Sequence, residues 1–61
     1  MNREKIIKEL RKHKEGYTIS ELARALGISR HTVEVVFAYL EGAGKVSVRR
    51  AGMARIYYLK E

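Results

Sequence analysis

Ile6, Ile7 and Leu10 recur at helical spacing inside a run of charged residues, a pattern that predicts an amphipathic helix over Arg3–Lys14. Glu4 with Lys8, and Glu9 with Lys12, are spaced to pair along its surface, each contributing on the order of a few tenths of a kcal/mol. Gly16 supplies the stop. A second helix follows: Thr18 can cap it, Glu21 three residues on completes a capping box, and Tyr17 can staple against Leu22. Its apolar face is Leu22, Ala23 and Leu26, and Gly27 ends it in a left-handed conformation that glycine adopts freely. Ile28 alone separates Gly27 from the next cap, Ser29. From there a third helix, Arg30 to about Ala43, carries Val33, Val36, Phe37 and Leu40 on one stripe. Two helices joined by so tight a turn must cross steeply.

Beyond Gly44 the period shortens to two. Lys45-Val46-Ser47-Val48-Arg49 alternates as a half-buried strand does, which turns Val46 and Val48 inward and Lys45, Ser47 and Arg49 outward. Arg55–Lys60 is β-branched and aromatic and predicts a second strand, with Arg50–Ala54, around Gly52, as the connecting loop. The reading is a small α+β chain, three helices followed by a two-stranded hairpin, in one domain spanning 1–61. Its expected core is Ile6, Leu10, Leu22, Leu26, Ile28, Val33, Phe37, Leu40, Val46 and Ile56.

Composition sharpens this picture. A 61-residue chain buries only about 60% of the surface its unfolded form exposes, so its stability margin is thin. It has no cysteine for a disulfide, and its two histidines make no structural zinc set. Strong local signals or self-association must make up the difference. Thirteen Lys and Arg against seven Glu give a net charge of +6, which favours a polyanionic partner. The scarcity of amides (no Gln, and Asn2 as the single Asn) beside many Lys, Arg and Glu is a composition reported for heat-adapted proteins. The chain has no apolar segment long enough to span a membrane and no secretory apolar region, so a cytoplasmic protein is expected. His13 and His31 lack a Cys, Asp or second His at ligand spacing, and no glycine-rich phosphate loop is present. No acid, base or nucleophile constellation can be assembled, so an enzyme is not expected. Nothing indicates a cofactor, a metal or a small-molecule ligand.

The stretch Thr18-Ile19-Ser20-Glu21-Leu22-Ala23-Arg24-Ala25-Leu26-Gly27-Ile28-Ser29-Arg30-His31-Thr32-Val33 resembles the helix-turn-helix of winged-helix transcription regulators. Each key position has its own physical reason. Ala23 must be small where the third helix crosses, Gly27 makes the turn, and Val33 fills the crossing point. Leu40 to Val46 is similar to the family's helix end running into the first wing strand, and Arg49 to Tyr58 resembles a basic wing. Together the resemblance covers Thr18 to Lys60, while Arg3–Lys14 matches as an amphipathic helix of suitable length. It implies a winged helix-turn-helix fold and a double-stranded DNA partner.

In that fold the third helix lies in the major groove, with its first residues near phosphates and base edges. By resemblance those residues are Ser29, Arg30, His31 and Thr32, although capping alone accounts for Ser29. Arg30 can pair with guanine or clamp a phosphate. The exposed face continues through Glu34, Val35, Ala38 and Tyr39, less basic than such regulators usually carry. Val35 and Ala38 can touch a thymine methyl and Glu34 can accept from cytosine N4. Alternatively, Val35 and Tyr39, four residues apart, form a patch for another protein or a second copy of the chain.

Charge is distributed unevenly. Residues 1–15 carry six basic and three acidic side chains, residues 16–44 two and three, and residues 45–61 five and one. Arg49, Arg50 and Arg55 near the expected loop therefore stand out as backbone anchors. The expected function is a DNA-binding transcription regulator, alternatively an architectural DNA-coating protein or a winged-helix protein–protein adaptor. A homodimer is expected, through the first helix or the C-terminal strand, where Tyr57 and Leu59 are read as spare apolar residues.

Overall fold

A computed structural model describes residues 2–60; Met1 and Glu61, the two ends of the single expected domain, lie outside the described residues. Helix α1 spans Asn2–Lys12, α2 Ile19–Leu26 and α3 Arg30–Gly42, followed by strands β1 (Val46–Ala51) and β2 (Ala54–Leu59). The fold is a small α+β winged helix-turn-helix, in the order the hydrophobic pattern predicts.

The local signals act as their chemistry requires. Thr18 Oγ1 accepts from the Glu21 amide at 3.1 Å, and Glu21 Oε1 accepts from the Thr18 amide at 3.0 Å, so the capping box is complete. Gly27 turns the chain at φ 67° and ψ 35°, and the amides of Gly27 and Ile28 both donate to the Ala23 carbonyl. Ser29 Oγ accepts from the Thr32 amide at 3.1 Å, starting α3 within one residue of that turn. Helix α1 ends at Lys12, two residues before the predicted Lys14, because the amide of Gly16 closes a turn onto the His13 carbonyl instead of extending the helix.

Nine of the described residues are buried: Ile6, Leu10, Leu22, Ala23, Val33, Phe37, Leu40, Val46 and Tyr57. No polar or charged side chain is buried among the described residues. Leu26 and Ile28, expected inside, are half-buried and pack against this cluster. At its centre Phe37 stacks on Tyr57, with ring centroids 4.2 Å apart and planes 19° from parallel.

Tyr57 takes the place expected for Ile56, and register is the reason. A five-residue loop over 50–54 would set Val48 opposite Ile56. The strands instead run on to Ala51 and Ala54 and are joined by Gly52 and Met53 alone, which sets Val48 opposite Tyr57 and Val46 opposite Leu59. Partners across an antiparallel pair share a face, so this one-residue slip exchanges the faces of every β2 side chain. Gly52 has φ 63° and Met53 has no positive φ, as a two-residue type II′ turn requires. Tyr17 also pairs with Tyr57: its amide donates to the Tyr57 carbonyl at 2.9 Å and its carbonyl accepts the Tyr57 amide at 2.8 Å. Strand β2 is therefore flanked on both sides at Tyr57.

That arrangement corrects the reading of Tyr57 and Leu59 as spare apolar residues. Edge pairing through the C-terminal strand would have to displace Tyr17, Tyr57 is core, and Leu59 is half-buried. On α1, Ile6 and Leu10 are buried and Ile7 packs against the core, leaving polar and charged side chains outward.

Candidate nucleic-acid interface

Helix α3 presents the face that the sequence predicts. Arg30, His31, Glu34, Val35, Ala38 and Tyr39 are exposed, and Val33, Phe37 and Leu40 face the core. Ser29 and Thr32 are committed to each other: beyond the cap, their hydroxyl oxygens lie 2.9 Å apart in a hydrogen bond. Their first role is to start the helix, which leaves the positions after them to face a ligand.

With 3.6 residues per turn, Arg30, Glu34 and Ala38 follow one flank of the exposed face, while His31, Val35 and Tyr39 follow the other. The flanks meet different neighbours. Arg30 lines a groove of about 370 Å³ together with Thr18, Ile19 and Ser20 at the start of α2 and Met53, Ala54 and Arg55 of the hairpin. On the other flank the Arg3 guanidinium of α1 lies over the Tyr39 ring, 4.6 Å from its centroid. The pattern of the sequence does not single out Arg3 as a neighbour of this face, because its partner lies 36 positions away and is reached only by the packing of α1 on α3. Arg3 supplies a cation to the side of a helix that itself carries one basic and two acidic residues.

The three hairpin arginines do not form one cluster. Arg50 lies directly opposite Arg55, on the face that carries Val48 and Tyr57, whereas Arg49 lies opposite Ile56 on the other face. The Arg49 Nη2 donates to the Glu15 carbonyl at 3.1 Å, which ties the hairpin to the α1–α2 connection. The Arg55 guanidinium lies 5.8 Å from the Tyr57 ring centroid. Like charges set opposite each other across a strand pair are unfavourable. A polyanion against that face would relieve the cost, and solvent alone screens it only in part.

A family model for the HTH domain matches residues 2–58. The chain belongs to that helix-turn-helix family. Membership supports a DNA-binding role, and the matched span takes in the hairpin as well as the three helices. A search of curated proteins returns no match. Within this HTH domain no described helix is long and apolar enough to cross a membrane. Nor do the described residues include a group of three or more His, Cys, Asp or Glu able to hold a metal ion.

In the α1–α2 connection of the HTH domain the Tyr17 phenol is displaced from its ordinary value. The Tyr17 hydroxyl donates to Glu9 Oε2 at 2.7 Å. Burial first, and then that hydrogen bond and the nearby carboxylates, push its phenol from 10.0 up to about 12. A raised folded pKa favours the neutral phenol. Its contribution to stability is therefore complete below pH 10 and is lost as pH rises towards 12. Ultraviolet titration should show a phenol step near pH 12, and Tyr17→Phe should remove it. A stability curve between pH 10 and 12 that is the same in wild type and Tyr17→Phe would contradict this linkage.

Proposed function

We propose that the chain is a regulator that binds double-stranded DNA, laying the exposed face of α3 in the major groove and holding the phosphate backbone with the hairpin. The observation that carries this reading is the Arg50–Arg55 pair, two like charges on one face of the hairpin, with Arg55 lining the same groove as Arg30 at the start of α3. Arg30 and His31 are assigned to base edges or adjacent phosphates, and Glu34, Val35, Ala38 and Tyr39 to the groove floor and walls. Arg50 and Arg55 are the backbone anchors. Arg49, bonded to the Glu15 carbonyl on the other face, is assigned to positioning the hairpin.

The adaptor alternative has less support. Val35, Tyr39 and Met53 are the exposed large hydrophobics among the described residues, and Tyr39 is shared with Arg3. Two half-exposed side chains, one of them under a guanidinium, fall short of the several hundred Å² that typically mark a protein-docking patch.

Fluorescence anisotropy with a selected and a random duplex, over about 50 to 300 mM salt, tests the assignment. Arg50 and Arg55 should each release about one counterion, so replacing both by Ala should flatten the log–log salt slope by about 2 units on either duplex. Arg49→Ala should leave the slope nearly unchanged. Replacing Arg30 and His31 by Ala should narrow the gap between selected and random DNA, and a wild type with no such gap would be architectural rather than regulatory. An Arg50→Ala/Arg55→Ala protein that stays folded and keeps its salt slope removes the hairpin as anchor.

A further inference from the structure

The C-terminal half of α1 and the base of the hairpin enclose a cavity of about 640 Å³, to whose lining α3 contributes nothing. Its floor is apolar: Leu10 is fully buried, and Leu59 and the Tyr58 ring are half-buried. Its rim is cationic, with Arg11, Lys14 and Lys60 all exposed. A second hollow of about 420 Å³ adjoins it, sharing Arg11, Leu59 and Lys60 and adding Ile7 and Lys45. Among the described residues no acidic side chain lines either one. Glu9 and Glu15 turn instead to Lys12 and His13, which leaves Arg11, Lys14 and Lys60 without a described carboxylate partner.

We propose that this cavity binds a small aromatic carboxylate, its ring against Leu10, Leu59 and Tyr58 and its charge on the rim of Arg11, Lys14 and Lys60. None of these residues is assigned to DNA, so the inference stands apart from the reading above. The sequence carries no motif for such a ligand, because floor and rim come from residues 10–14 and 58–60 and meet only in the packing of α1 on β2.

Size and chemistry agree on the ligand class. The volume falls within the roughly 300–1,000 Å³ of pockets that hold small molecules. Cations on a polar surface would suit an inorganic ion, and an apolar hollow alone would suit a neutral molecule. An apolar floor under a cationic rim suits a ligand with both parts. The planar fork of Arg11 matches a carboxylate with two parallel hydrogen bonds. Tyr58 offers a ring for stacked or edge contact, and Ser47, opposite it in the strand pair, adds a hydroxyl to the lining. A second copy of the chain is a poor occupant, since it would bring the same cations to a surface that already lacks a counter-charge.

Titration of naphthoate into isotope-labelled protein without DNA, followed through the backbone amide resonances, tests the site. Wild type should show saturable shifts confined to residues 10–14, 47 and 58–60, with a Kd of about 1 mM or tighter. Naphthalenemethanol keeps the rings and lacks the charge, and should bind at least about fivefold more weakly. Acetate keeps the charge and lacks the rings, and should give no saturable shift at these residues up to about 10 mM. Arg11→Ala/Lys14→Ala should weaken naphthoate at least about fivefold with circular dichroism unchanged, because both side chains are exposed. Lys8→Ala/Lys12→Ala removes the same charge from α1 outside the cavity and should change binding by less than about twofold. Naphthoate shifts that do not saturate by about 10 mM or that centre elsewhere overturn the proposal. So do equal binding of the neutral alcohol, saturable binding of acetate at these residues, and equal losses in the two double variants. Each of these results leaves the DNA-binding reading intact, because no duplex takes part.

Discussion

Replacing Phe37 by alanine should remove much of the stability margin of the chain. Phe37 is 1% exposed and stacks on Tyr57, so the substitution removes both its burial and the ring partner of the hairpin. Truncation of a buried Phe typically costs about 3–5 kcal/mol. At roughly 0.05–0.15 kcal/mol per residue, a chain of 61 residues has only about 3–9 kcal/mol to lose. In a domain this small each kcal/mol shifts the midpoint by about 4–8 °C, so a fall of at least about 12 °C is expected. Phe37→Leu keeps most of the volume and should cost less than about 1.5 kcal/mol if the neighbours repack. Thermal melts followed by circular dichroism distinguish these outcomes, and a fall of under about 5 °C for Phe37→Ala would mean that the helices and hairpin do not share one core.

The second large effect is expected at Gly16. Its φ is 96°, and a Cβ there would fall inside van der Waals contact of the Tyr57 carbonyl oxygen and 2.9 Å from Ile56 Cγ2. That carbonyl is the acceptor for the Tyr17 amide, so Gly16→Ala must open the bridge that joins the α1–α2 connection to β2. Two backbone hydrogen bonds at about 1 kcal/mol each, with about 1–2 kcal/mol for the left-handed conformation, sum to about 3–4 kcal/mol. Gly27→Ala is the control. It has a similar positive φ of 67° but open space where the Cβ would go, so only the conformational cost of about 1–2 kcal/mol applies. Urea denaturation that ranks Gly27→Ala as equal to or worse than Gly16→Ala would show that the bridge contributes little.

Gly16 also illustrates how much could be read from the chain alone. As a helix stop it is legible, since glycine after an amphipathic run ends a helix wherever the run packs. Its contact with β2 is not, because Gly16 and Tyr57 are 41 positions apart and no local pattern links them. Tyr17 is a similar case: it fits a staple onto the second helix, and its backbone is also paired across to β2.

The interface divides along the same line. The exposed positions of α3 follow from period and caps, and Ser29, Arg30, His31, Glu34, Val35, Ala38 and Tyr39 are exposed as their spacing requires. The arginines of the hairpin do not follow in this way. Alternation fixes that Arg49 and Arg50 point to opposite faces, but which of them meets Arg55 depends on the length of the turn. Five loop residues would have paired Arg49 with Arg55 and put Ile56 in the core. Two loop residues pair Arg50 with Arg55 and put Tyr57 there.

What the sequence by itself determined is what local physics controls: three helices with their caps, the Gly27 turn, the α3 stripe, the strand period and the basic balance of the chain. Tertiary structure decided the rest. The register of the hairpin chose Tyr57 over Ile56 and separated Arg49 from Arg50, and the packing of α1 brought Arg3 to Tyr39. The physical reason is that a period of two specifies which side chains share a face along one strand, whereas the relation between two strands is set by the fit of a whole face. The best use of the apolar set, Phe37 against Tyr57 with Val46 and Leu59 beside them, becomes available only when all elements are assembled.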